Sequence, residues 1–251
     1  MSAPVQGGAA GDWLFDLGNT RLKFAPLSRD GQVGEVQARA HDKPDWQARL
    51  PSGATAWVCD VASSTLSLEL LQELATRFHR VSIARTSATF AGVRVAYAPP
   101  GRLGVDRFLA LMGARGLGAG PWLVVGVGTA LTIDLLAADG RHVGGRIAPS
   151  PGVMRAALQA RATHLPVDGG RYVEFATDTR DALASGCEGA AIALVERSLA
   201  HARDALGTDA MPVLHGGGAL ALAPGIDGAR VAPALVLQGL AAWARAGARR
   251  G

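Results

Sequence analysis

The chain has 251 residues, 49% hydrophobic and 18% charged, a balance that suits one large or two small folded domains and excludes a disordered chain. The formal net charge is +4, yet the arginines are scattered, part of the excess sits in Arg245, Arg249 and Arg250, and few aromatics interleave, so no nucleic-acid partner is expected. Cys59 and Cys187 match no metal or redox spacing, which points away from a disulfide framework and towards a reducing cytoplasm. No run approaches the roughly 18 apolar residues of a membrane span. Residues 1–12, small and Gly-rich without a signal-peptide layout, read as a flexible tail.

Trp13 to Phe15, the turn Asp16-Leu17-Gly18-Asn19-Thr20 and the alternating Arg21-Leu22-Lys23-Phe24 predict a β-hairpin. Ala56 to Val61 reads as a strand. Leu70, Leu71, Leu74, Ala75 and Phe78 recur at helical spacing and predict a helix over about 67–80. Strands are expected at Val81 to Ala84 and Val93 to Tyr97, the second broken by Pro99-Pro100-Gly101. A helix from Asp106 is expected to end in the Gly-rich run Gly113 to Gly120, which marks the best domain boundary.

Beyond it the opening pattern returns. Trp122 to Val125 is an apolar strand, Gly126-Val127-Gly128-Thr129-Ala130 a turn, and Leu131 to Asp134 a strand. Gly18 falls on Gly128 and Asp16 on Gly126, the mark of an internal duplication. A turn at Ala138 to Gly140, helices at Val153 to Arg161 and Asp181 to Ala205, a short strand at Val213-Leu214 and a closing helix over about 235–249 follow. Two α/β halves facing each other across a cleft are expected, residues 13–118 and 119–251.

Three segments could carry chemistry. The turn Asp16 to Thr20 offers backbone donors for phosphates and a carboxylate for hydrated Mg²⁺, with Lys23 nearby, but it also suits an ordinary hairpin. Gly128-Thr129-Ala130, with Thr132 and Asp134, is a second such turn or simply a buried strand. Asp106 in Gly104-Val105-Asp106-Arg107 is either a general base, with Arg107 steadying anions, or a helix cap. His215, before Gly216-Gly217-Gly218, reads as packing, and none of the six histidines shows metal-ligand spacing.

In order, these motifs resemble the type III pantothenate kinases of the actin-like, sugar-kinase-like ATPase superfamily, which are also related to Bvg accessory factor proteins. The likeness runs from Trp13 to about Trp243. It is carried by Asp16 to Thr20, Tyr97, Gly104 to Arg107, Gly128 to Asp134, Gly144-Gly145-Arg146-Ile147-Ala148-Pro149, Thr179 and Gly186, and Gly216-Gly217. The resemblance implies two ribonuclease-H-like domains and ATP-dependent phosphorylation of pantothenate, the first step of coenzyme A synthesis, in the cytoplasm. It implies that Asp16, Leu17, Gly18, Asn19, Thr20, Arg21, Leu22, Lys23 and Thr129 bind ATP and that Asp16 holds Mg²⁺. Pantothenate would be held by Tyr97, Gly104, Val105, Asp106, Arg107 and Thr179, the last from the partner subunit of a homodimer, and Asp106 would accept the proton. Three residues depart from the family. Gly126 replaces the Asp that holds potassium or ammonium, so that cation is not expected. Ser150 interrupts a Pro-Gly step, and His215 replaces a Thr. A regulatory paralogue, or a kinase of another hydroxyl compound, is the alternative.

Overall fold

The computed structural model describes residues 11–41, 46–47 and 49–248. The expected tail therefore lies almost wholly outside the described residues, and Asp12 already belongs to the first strand. The chain forms two compact units, one running to Leu117 and resuming at Ala234, the other spanning Gly118–Pro233.

The first unit is built on β1 (Asp12–Leu17), β2 (Arg21–Leu27), β3 (Gln37–Ala40), β4 (Gly53–Asp60), helix α1 (Ser64–Arg77) and β5 (Phe78–Ile83). Its sheet has the order β3-β2-β1-β4-β5. β1 pairs antiparallel with β2 and parallel with β4. Alternation puts Phe15, Leu17, Leu22, Phe24, Ala56 and Val58 on the face that packs against Leu70 and Leu74 of α1. Phe78, whose spacing suggested the helix, is instead the first residue of β5 and meets Phe15 edge-on with ring centroids 5.6 Å apart. The expected strand at Val93 to Tyr97 is shorter. Only β7 (Val93–Arg94) pairs, with β6 (Thr89–Phe90), across a turn whose Ala91 and Gly92 both have positive φ.

Helix α2 (Val105–Gly116) ends inside the glycine-rich run, as expected, with Gly113 itself still helical. The second unit follows with β8 (Trp122–Val127), β9 (Ala130–Leu136), β10 (His142–Pro149), α3 (Pro151–Arg161), α4 (Thr179–Leu206), β11 (Met211–His215), α5 (Ala219–Leu222) and β12 (Arg230–Val231). Its sheet order is β10-β9-β8-β11-β12, with β8 antiparallel to β9 and parallel to β11. This is the first sheet repeated strand for strand, so the duplication suggested by one glycine turn extends over five strands. Leu123, Val125, Val127, Leu131 and Ile133 pack against Ala191, Val195 and Ala202 of α4. Asp178 caps α4, accepting from the backbone N–H groups of Arg180 and Asp181 at 2.9 and 3.1 Å, and left-handed Gly207 ends it.

The closing helix α6 (Leu235–Ala248), expected with the second half, belongs to the first unit. It lies on α2 at the closeness only glycine allows. A Cβ on Gly239 would stand 1.8 Å from the Leu109 carbonyl oxygen, and one on Gly113 would stand 2.3 Å from that of Leu235. Gly113, the first glycine of the run that ends α2, and Gly239 thus form a packing seam between the two helices.

Candidate active site

The β1–β2 turn is closed by the Gly18 N–H donating to the Arg21 carbonyl at 3.1 Å, so that donor is used within the turn. Asn19, Thr20 and Arg21 are exposed, whereas the Leu17 and Leu22 side chains are fully buried in the core and could meet a ligand only through their backbone. Asp16 is the residue that turns away from that core. Pairing sets it opposite Lys23 on β2 and Cys59 on β4. Burial pushes its carboxyl up to about 6, Lys23 opposes this, Asp106 raises it further, and a hydrogen bond from the Cys59 thiol lowers it. Burial also keeps the Cys59 thiol well above its ordinary range, so it stays protonated and donates.

Cys59 was not anticipated as part of this group. Its contact with Asp16 comes from parallel pairing between segments more than forty residues apart, a relation that leaves no local pattern.

At the start of α2 the N-cap position belongs to Gly104, whose φ and ψ are −53° and 138° and which makes no side-chain cap. Asp106 therefore is not the cap; it sits in the first turn. Its Oδ1 comes within 2.7 Å of where a Gly104 Cβ would be, so the glycine leaves room for the carboxylate. Arg107 is 6% exposed; its Nη1 donates to the Tyr97 hydroxyl at 3.3 Å and its guanidinium lies 5.7 Å from that ring's centroid. Asp16, Lys23, Tyr97, Asp106 and Arg107 thus all belong to the first unit, and the two carboxylates feel each other.

In the second unit the Gly128 N–H donates to the Ala130 carbonyl at 3.0 Å and Thr129 is exposed at the tip. Asp134, grouped with this turn in the sequence, is instead buried against His142, Oδ1 to Nε2 at 2.9 Å, and serves the sheet. Thr179 is exposed on the first turn of α4. Ser150 accepts from the Val153 N–H at 3.4 Å and starts α3, with Pro151 next, which is what the interrupted Pro-Gly step becomes. Gly126 has no left-handed backbone; a Cβ there would meet Thr132 Oγ1 at 2.5 Å and His215 Nε2 at 3.0 Å.

A family model for type III pantothenate kinase matches residues 13–201. The chain belongs to the type III pantothenate kinase family. It is 57% identical over 237 residues to a type III pantothenate kinase of Stenotrophomonas maltophilia, covering 93% of this chain and 97% of that protein. The fold is also that of a Campylobacter jejuni protein described as a Baf family transcriptional activator (TM-score 0.64, 18% identity, 94% of this chain and 99% of that one). A Sinorhizobium meliloti structure described as a 2-dehydro-3-deoxygalactonokinase aligns with a TM-score of 0.57 at 18% identity, over 93% of this chain and 98% of its own. Actin-like, sugar-kinase-like architecture is thereby established. Among the described residues no helix is long and apolar enough to cross a membrane.

Proposed function

We propose that this protein transfers the γ-phosphoryl group of ATP to the terminal hydroxyl of pantothenate, giving 4'-phosphopantothenate for coenzyme A synthesis. The observation that carries the reading is the pair of carboxylates, Asp16 and Asp106, brought within electrostatic reach of each other from separate elements. Phosphoryl transfer requires positioning and charge compensation more than covalent chemistry. Asp106 accepts the proton from the attacking hydroxyl, and Gly104 leaves its carboxylate space to do so. Arg107, held by Tyr97, faces the substrate's carboxylate as a fixed cation.

Asp16 suits a magnesium ion, a hard cation that takes one or two carboxylates and completes its shell with water and phosphate oxygens. Its raised pKa is what a carboxylate shows when built to receive a cation that offsets the cost of burying it. Bound there, the ion neutralises charge on the transferring phosphate. Residues Asp16 to Lys23 and Thr129 contact the nucleotide, and Thr179 completes the pantothenate pocket of a partner in a cytoplasmic homodimer. With Gly126 offering no carboxylate, turnover is indifferent to potassium or ammonium. A regulatory role without catalysis would leave both carboxylates unexplained.

The test is ADP release with pantothenate against a panel of other small alcohols at saturating Mg-ATP. Selective stimulation by pantothenate supports the proposal; equal or greater stimulation by another alcohol reassigns the acceptor.

A further inference from the structure

Pairing in the two sheets places three residues of each unit at matching points. In the first unit Asp16 on β1 stands opposite Lys23 on β2 and Cys59 on β4. In the second, Gly126 on β8 stands opposite Thr132 on β9 and His215 on β11. The duplicated position that holds a carboxylate in one unit is therefore empty in the other, and the flanking strand supplies an imidazole where the first unit has a thiol. The two departures at Gly126 and His215 are one feature. Thr132 Oγ1 lies 2.5 Å, and the ring's Nε2 and Cε1 3.0 and 3.1 Å, from where the Cβ of residue 126 would be, so threonine and histidine share the space the glycine leaves.

His215 is not a core residue. The opposite face of this sheet carries Leu123, Val125, Val127, Leu131, Ile133 and Leu214 against α4 and α5, while Gly126, Thr132 and His215 alternate to the other face. His215 is half-buried and is the last residue of β11, at the carboxyl end of the parallel β8–β11 pair, where open α/β sheets place their ligands. The exit loop fixes it there. Gly216, at φ 94°, passes so close to β8 that a Cβ would meet the Val127 carbonyl oxygen at 2.4 Å, and the Gly218 N–H donates to that same oxygen at 3.0 Å. Val127 is followed directly by the Gly128–Ala130 turn.

We propose that His215 is a nucleotide-positioning residue whose imidazole, seated over Gly126 beside the second glycine turn, donates a hydrogen bond to a phosphate oxygen of bound ATP. The inference rests on the reading of the Gly128–Ala130 turn as a nucleotide contact.

Three variants test it. His215→Leu fills the notch without a donor, His215→Ala empties it, and His215→Gln keeps a side-chain N–H. Mg-ATP affinity is measured by calorimetry without acceptor, alongside KM for both substrates and the melting temperature. Leu and Ala should lose roughly 10- to 100-fold in Mg-ATP affinity, the usual worth of a hydrogen bond to a charged group. Acceptor KM should stay within about twofold. Gln should recover most of the loss. A Leu variant that binds Mg-ATP like the native protein would make His215 a packing residue and overturn the proposal. If the Leu variant melts early, Ala against Gln decides, and equal affinities overturn it. Because binding is read without acceptor, failure to phosphorylate pantothenate would sink the proposed function while leaving this test intact.

Discussion

Asp16→Asn should stabilise the nucleotide-free, metal-free protein at pH 8 while abolishing its activity. The carboxyl titrates at about 6 rather than 3.8, chiefly because it is buried. A native pKa above the unfolded one means the native state binds the proton more tightly. Stability therefore falls as pH rises from about 3.8 through 6, and the full penalty applies above that window. A shift of about 2 units corresponds to about 3 kcal/mol. Asp16 keeps some solvent exposure as a residue, so a gain of about 1–3 kcal/mol is the reasonable range. Asn keeps the shape and can still accept from the Cys59 thiol, but removes the charge. The variant should melt a few degrees higher at pH 8 in the presence of EDTA. That advantage should shrink to roughly half by pH 5, as the native carboxyl becomes protonated. Urea denaturation at both pH values is the assay. A variant less stable than the native protein at pH 8, or a difference that does not change with pH, would refute the burial account of Asp16.

The same titration predicts that KM for Mg-ATP rises as pH falls below about 6, since a protonated Asp16 is a poor ligand; a flat profile from pH 5 to 8 would contradict it. Asp106→Asn should cut turnover by roughly 10²–10⁴-fold with Mg-ATP affinity unchanged, because Gly104 and not Asp106 holds the N-cap position. Gly104→Ala, at an unstrained backbone angle, should push the Asp106 carboxylate aside and lower kcat about tenfold or more with a near-native melting temperature. Gly239→Ala should drive α6 off Leu109 and destabilise the first unit by about 1–3 kcal/mol or more, read by denaturation.

Local signals in the sequence were the ones that carried over. Hairpins at Gly18 and Gly128 were legible because a tight turn writes its glycine and its flanking alternation into adjacent residues. The repeat was legible for the same reason, though only at its first two strands; the remaining three share a topology and not a motif. What the sequence could not disclose was contact made at a distance. Cys59 meets Asp16, and His215 meets Gly126, through parallel strands whose partners are set by the fold. The Ala/Leu pattern of α6 announced a buried face without saying which helix would bury it, and Gly113 looked like punctuation because its partner, the Leu235 carbonyl, lies more than a hundred residues away. Asp134 was grouped with the second glycine turn by closeness in sequence alone, whereas the sheet pairs it with His142.

The most direct measurement of the central claim is isolation of the product formed from ATP radiolabelled in its γ-phosphate, with the native protein and the Asp106→Asn variant side by side. Label should appear in 4'-phosphopantothenate with the native protein, and at least a hundredfold less with the variant. Label released only as inorganic phosphate, or equal transfer by the variant, would contradict the assignment.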